Sequence, residues 1–198
     1  ETVFELGALQ SGQVFLVHAG ASGVGTTAVQ MAKSVGAKVL FTVGTDKKID
    51  LVQRIGGDLG INYHTQDFIV EAVREVGDCG VDLIQDLVGG DYLMRNITLL
   101  KPAGRLVLVG ALRGANCEFD IGPMLKKRLM VFGFTLRAQK LEDKRQIVKR
   151  IEQRWLPKYV DGTIDPVIHC TVPFRGVREA HQLMDNNENF GKIILEID

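Results

Sequence analysis

Strand-like and helix-like apolar periods alternate along most of the chain. Val14 to Ala19 is a short apolar run that leads into glycines. From Val24 the spacing turns helical, with Val24, Ala28, Met31 and Val35 on one face. Gly36 then predicts a helix stop, in the manner of a C-terminal cap. Lys38 to Val43 predicts a second strand. Asp46 to Ile55 predicts a second helix, in which Ile49, Val52 and Ile55 keep helical register before Gly56-Gly57 end it. Gly60 to Tyr63 reads as a third strand, and Asp67 to Val76 as a helix facing inward through Phe68, Ala72 and Val76. Val81 to Gln85 follows as a fourth strand. Tyr92 to Leu100 is a helix closed by Lys101-Pro102-Ala103-Gly104. Arg105 to Val109 and Leu129 to Phe134 are the fifth and sixth strands.

Repeated strand–helix–strand units predict a parallel sheet with helices on both faces. Strands buried on both faces read as nearly continuous apolar runs, as Val39-Leu40-Phe41 and Leu106-Val107-Leu108-Val109 do. Six such strands match the α/β doubly wound Rossmann fold, with expected order 3-2-1-4-5-6.

Beyond Arg137 the pattern changes. Leu141 to Val160 predicts one long amphipathic helix with Ile147, Ile151, Trp155 and Tyr159 on one side. Val167 to Val172 predicts a strand, Arg175 to Met184 a helix and Lys192 to Ile197 a last strand. These pieces are too few for a second independent domain. The expected organisation is a nucleotide-binding domain over 1–137, then a helix and a strand–helix–strand segment over 138–198 that packs on a domain preceding Glu1.

Composition narrows the partners. Basic and acidic residues are equal at 24 each, which argues against attraction to nucleic acid or an anionic membrane. Lys126-Lys127-Arg128 reads as a solvated strand edge or loop. Cys79, Cys117 and Cys170 are far apart and odd in number, so they suit neither a disulfide framework nor a zinc-ligand spacing; each is expected to be small, buried and apolar. No apolar stretch reaches the ~20 residues of a membrane span. A reducing, cytoplasmic setting is expected.

The run Gly20-Ala21-Ser22-Gly23-Val24-Gly25 leaves the first strand and opens a helix. Small residues suit a sharp turn, close approach to a pyrophosphate and tight packing of helix on strand. The helix start would offer free N–H groups and a positive dipole end to phosphates. A nucleotide-hydrolysing loop would need Gly-Lys-Ser/Thr, and Gly25-Thr26-Thr27 has no lysine.

The second strand ends Val43-Gly44-Thr45, about 20 residues on, where NAD-binding proteins place an acid for the ribose 2′-OH. Asp46 comes one residue late, as a helix N-terminal residue would. Thr45 with Lys48 could instead hold a 2′-phosphate. The alternative is that Thr45 caps the helix while Lys47 and Lys48 are solvated.

The run from Val17 to Gly25, with Ala28-Val29-Gln30, Val43 to Lys48, Ile61-Asn62-Tyr63, Asp86 to Gly90, Gly104 to Gly110 and Asn189 to Leu195, resembles the quinone oxidoreductase (zeta-crystallin) branch of the medium-chain dehydrogenase/reductases. The likeness covers essentially the whole chain. It implies NADPH as cofactor, with Ala19 in the cofactor loop and Ser22, Gly23 and Val24 at the pyrophosphate. Gly44, Thr45, Lys48 and Tyr63 would surround the ribose and its 2′-phosphate. Val88, Gly110 and Leu112 would line the path to the nicotinamide, Phe134, Thr135 and Leu136 would lie beside it, and Lys192 would return to the cofactor. Many relatives have Gly at the position of Ser22; serine keeps the backbone N–H. The resemblance further implies an N-terminal barrel-like domain as the other wall of the cleft, and a homodimer through strand 129–134, whose apolar edge would otherwise be exposed.

The activity so implied is zinc-independent hydride transfer from NADPH to a quinone, with the protein aligning donor and acceptor. A second reading is an enoyl or alkenal reductase acting on α,β-unsaturated carbonyls; a third is a crystallin-like, non-enzymatic NADPH-binding protein. No residue of the chain is expected to be catalytic and no metal site is expected. His18, His64, His169 and His181 read as structural or surface residues.

Overall fold

The strands β1 (Val14–Val17), β2 (Lys38–Val43), β3 (Leu59–Asn62), β4 (Val81–Asp86), β5 (Leu100–Leu108) and β6 (Met130–Gly133) form one parallel sheet in the order β3-β2-β1-β4-β5-β6. This is the computed structural model of the protein, and it describes residues 1–197. The order is the one predicted, and it reverses direction between β1 and β4. The helices α1 (Gly25–Ser34), α2 (Asp46–Arg54), α3 (Phe68–Val76) and α4 (Tyr92–Leu99) connect the strands.

Alternation along each strand feeds two cores. Phe15, Val17, Val39, Phe41, Leu83 and Val107 pack with Ala28, Val29 and Ala32 of α1 on one face. Leu16, Leu40, Ile61, Ile84 and Leu106 pack with Phe68, Ala72, Ile97 and Leu99 on the other. Burial of both faces is why these strands lack a polar side.

Four local departures have physical causes. β5 begins at Leu100, five residues before the expected Arg105, because Leu100 already pairs with Val81. A register shift before Leu83 absorbs the extra residues in a bulge, where Ala103 takes φ 61°. An unforeseen short helix, α5 (Gly122–Lys127), precedes β6; it opens at Gly-Pro and buries no residue, so apolar spacing gives no sign of it. A π-helical turn over Thr2–Leu6, also unforeseen, buries Val3 and Phe4. The long helix is three pieces: α6 (Leu141–Arg150), a π-helical turn (Ile151–Trp155) and α7 (Leu156–Val160). Pro157 lacks the N–H that an unbroken α-helix would use here, and the wider turn moves Ile151 off the buried side, leaving it 45% exposed.

Trp155 nevertheless stays buried in the first core. Its ring lies 4.5 Å from that of Phe4, and Ile164 joins the same cluster. Arg150 pairs with Glu1 at 2.6 Å. Beyond this point β7 (Ile168–Pro173), α8 (Val177–Asp185) and β8 (Lys192–Glu196) form a separate two-stranded parallel unit. Hydrogen bonds on its near side tie this region to the main sheet and its helices. Gln30 and Asp165 exchange hydrogen bonds of 2.8 and 2.9 Å, and the Gly191 N–H donates to the Ala21 carbonyl at 2.8 Å. Among the described residues no helix is long and apolar enough to cross a membrane.

Candidate functional site

β1 ends at Val17, and Ala19 turns into the left-handed region at φ 56°. The loop then closes on itself. Ser22 N–H donates to the Ala19 carbonyl at 2.9 Å, and Ser22 Oγ accepts from Gly25 N–H at 2.9 Å. Serine thus supplies the cap for the start of α1 that glycine could not. A Cβ on Gly25 would clash with the Ala19 carbonyl and lie 2.8 Å from Gly20 Cα, so only glycine lets α1 pack this tightly on β1. Gly23 is different: the nearest atoms a Cβ there would meet belong to the side chain of Lys192, with its Nζ at 2.7 Å. Among the described residues no acceptor reaches the N–H groups of Gly23 and Val24. Two donors without a protein acceptor, with an ammonium beside Gly23, are the ingredients of an anion site.

At the end of β2, Thr45 caps α2 by accepting from Lys48 N–H at 3.3 Å. Asp46 turns away to accept from Asn62 at 2.8 Å. Lys48 is not freely solvated: its ammonium donates to the carbonyl of Asn187, and partial burial lowers its pKa. Tyr63 N–H donates to the Val43 carbonyl, which brings the phenol against Gly44; a Cβ on Gly44 would stand 2.7 Å from the Tyr63 hydroxyl. Thr45 and Lys48 thus form a capped, cationic corner, with the Asp46 carboxylate engaged by Asn62.

The strand ends on the other side of the reversal are organised by a buried polar chain that the sequence reading missed. Asp86, at the tip of β4, accepts from Val88 N–H at 2.6 Å, from Gly89 N–H at 3.1 Å and from Asn96 Nδ2 at 3.0 Å. Asn96 Oδ1 lies 2.8 Å from His18 Nε2, and His18 Nδ1 lies 3.0 Å from Thr42 Oγ1. All four side chains are buried. Burial pushes the His18 pKa down, against the pull of Asp86 and the Asn96 hydrogen bond. The only sequence sign of this network was polarity inside apolar runs, at Thr42 and at Asp86 ahead of Gly89-Gly90.

The remaining expected residues share the same edge. Val88 follows β4, Gly110 and Leu112 follow β5, and Phe134, Thr135 and Leu136 follow β6. Gly110 and Val109 N–H groups both approach the Asp86 carbonyl. Phe134 is half-buried, whereas Leu112 is 79% exposed and Leu136 is exposed. The fold therefore gathers Ala19 to Val24, Gly44 to Lys48, Tyr63, Val88, Gly110 and Phe134 to Leu136 at the C-terminal ends of the strands, beside the crevice where the strand order reverses, and Lys192 arrives there from β8.

Two side expectations are corrected. In the run Lys126-Lys127-Arg128 the first and last are exposed as expected, but Lys127 is half-buried: its ammonium donates to the Thr98 and Leu100 carbonyls, both at 2.7 Å, at the end of α4. Cys79 and Cys117 are exposed rather than buried, because both sit in loops outside the two cores. Among the described residues no three His, Cys, Asp or Glu side chains gather, so these residues present no ligand set for zinc.

Comparison with known proteins agrees with this geometry. The chain is 31% identical over 209 aligned residues to the synaptic vesicle membrane protein VAT-1 homolog of Homo sapiens, covering 98% of this chain and 52% of that protein. It is 29% identical over 188 residues to 2-haloacrylate reductase of a Burkholderia species, covering 94% of this chain and 56% of the relative. The chain thus spans about half the length of the curated relatives it matches. Among solved structures, Escherichia coli quinone oxidoreductase complexed with NADPH superposes with a TM-score of 0.86 at 26% identity, over 98% of this chain and 60% of the other. The zinc-binding dehydrogenase profile matches residues 23–153, more than half of the 198, and the chain belongs to that family.

Proposed function

We propose that this chain is the NADPH-holding part of an NADPH:quinone oxidoreductase of the medium-chain dehydrogenase/reductase type. The observation that carries the reading is the pairing of two cation-bearing anion sites on one strand edge. Gly23 and Val24 N–H groups with Lys192 form one, for the pyrophosphate, and Thr45 with Lys48 forms the other, for the 2′-phosphate. The two are separated by the ends of β1 and β2, as the two phosphate groups of one dinucleotide require. The likeness to an NADPH-bound quinone oxidoreductase supports the same assignment.

NADPH, when bound, supplies the hydride. The chain binds and orients. The capped loop from Ala19 to Gly25 presents its donors without further folding, Tyr63 walls the ribose against Gly44, and Val88, Gly110 and Leu112 line the way to Phe134, Thr135 and Leu136 beside the nicotinamide. β8 carries Lys192 to the loop, and on this reading the segment 138–198 also packs against a barrel-like domain that completes the cleft. The outer edge of β6 pairs with a second copy in a homodimer.

Steady-state oxidation of NADPH by the full-length protein, with quinones and α,β-unsaturated carbonyls as acceptors, tests the reading. Turnover on quinones supports it. Preference for activated C=C bonds would instead favour the enoyl or alkenal reductase reading, which the likeness to 2-haloacrylate reductase motivates. Tight NADPH binding without turnover of either class would favour the non-enzymatic one.

A further inference from the structure

The chain Asp86–Asn96–His18–Thr42 spans the crevice floor, and its hydrogen bonds have only one self-consistent direction. The Asp86 carboxylate can only accept, and it already takes Val88 and Gly89 N–H. Asn96 must therefore turn its Nδ2 to Asp86 and its Oδ1 to His18. An amide oxygen only accepts, so His18 Nε2 must carry a proton. Full burial disfavours a second proton on the ring, which leaves Nδ1 to accept from the Thr42 hydroxyl.

The ring also fits its place. It meets Phe68 and Tyr92 edge-on, both at 4.9 Å, so it cannot rotate freely. One end of this chain fixes the main chain next to Ala19. The other fixes Val88 and Gly89, and the Asp86 carbonyl takes the N–H groups of Val109 and Gly110.

We propose that His18, Asn96 and Asp86 act as a positioning relay that holds the loops after β1 and β4 at the spacing the dinucleotide needs, with the single His18 proton on Nε2. This rests on the NADPH reading above. None of the three side chains needs to touch the cofactor; they set where the free Gly23 and Val24 N–H groups and the Val88–Gly90 main chain stand.

The test uses the full-length protein labelled with 15N-histidine, together with NADPH titration. The wild-type His18 ring should show a protonated Nε2 and a bare Nδ1, and NADPH should shift both resonances. Asp86→Asn gives the chain an amide donor at its far end, so Asn96 must flip and the His18 proton must move to Nδ1. His18→Leu should weaken NADPH by about tenfold or more, the scale of a lost buried hydrogen bond, while His18→Gln, which keeps a donor near the Nε2 position, should restore most of the affinity. A wild-type Nδ1–H tautomer, no reversal in Asp86→Asn, or wild-type affinity in His18→Leu overturns the proposal. Should His18→Leu fail to fold, the two tautomer readings and His18→Gln decide alone. If the wild type binds no NADPH, the cofactor reading falls and the positioning role with it, whereas failure of the relay alone leaves wild-type binding intact.

Discussion

The Lys48 ammonium donates to the main-chain carbonyl of Asn187, 139 positions later in the chain. The cation expected to meet a 2′-phosphate is thus held in place by the turn after α8. Lys48→Ala should therefore weaken NADPH by about 1.5–3 kcal/mol, the value of a charge-assisted contact, and NADH far less. Parallel fluorescence titrations with the two cofactors check this; equal losses for both would remove Lys48 from 2′-phosphate recognition.

Two glycines of one loop should fail in different ways. A Cβ on Gly25 would strike main-chain atoms of Ala19 and Gly20, which cannot yield, so Gly25→Ala should cost about 1–3 kcal/mol of folding stability. A Cβ on Gly23 would first meet the far end of the long Lys192 side chain, which can swing aside. Gly23→Ala should fold almost as well as wild type and lose cofactor affinity, because the methyl would enter the space proposed for the phosphates. Urea denaturation beside NADPH titration separates the two outcomes.

Lys126 and Lys127 are adjacent, yet their substitutions should differ. Lys127 satisfies carbonyls at the end of α4, and burial lowers its pKa. Lys127→Met should destabilise by about 1–2 kcal/mol, through lost charge-assisted bonds at a helix C-terminus. Lys126→Met, at an exposed position, should change little. Thermal unfolding of both variants gives the comparison.

Acid should act on His18. Burial lowers its pKa below the ordinary 6.5, with Asp86 pulling upward and Arg95 downward. Between the lowered folded value and 6.5 the unfolded chain binds a proton that the folded chain refuses. Stability therefore falls as pH drops through that window, and above 6.5 this group contributes no slope. The slope in urea midpoints below pH 6.5 should diminish in His18→Gln; an unchanged slope would show that His18 is not its source.

The sheet was legible because its physics is local. Val39-Leu40-Phe41 and Leu106-Val107 are buried on both faces, so each strand announces itself without its neighbours. The glycine loop was legible for the same reason, since strand, turn and helix start are contiguous. What stayed hidden depends on distance or on shape. His18 meets Asn96 78 positions away, a pairing no period encodes. Whether Thr45 caps α2 is not written in its neighbours either: the cap forms, and Lys48 of the same turn is tied to Asn187, far along the chain. The helix after Leu141 kept its apolar stripe on paper, while Pro157 altered the winding that the stripe assumes.

The parallel bridge between Ser22 and Gly191 has a consequence for how the molecule is made. Emerging from the ribosome, the β1–α1 turn is among the first parts of the sheet to appear, yet its Ala21 carbonyl waits for Gly191 N–H. Neighbouring units can collapse early, because β1, α1 and β2 lie close together in sequence. The β1–α1 turn cannot reach its final hydrogen bonding until residue 191 has left the exit tunnel. A nascent chain stalled before that point would carry the sheet core with this turn still unlatched.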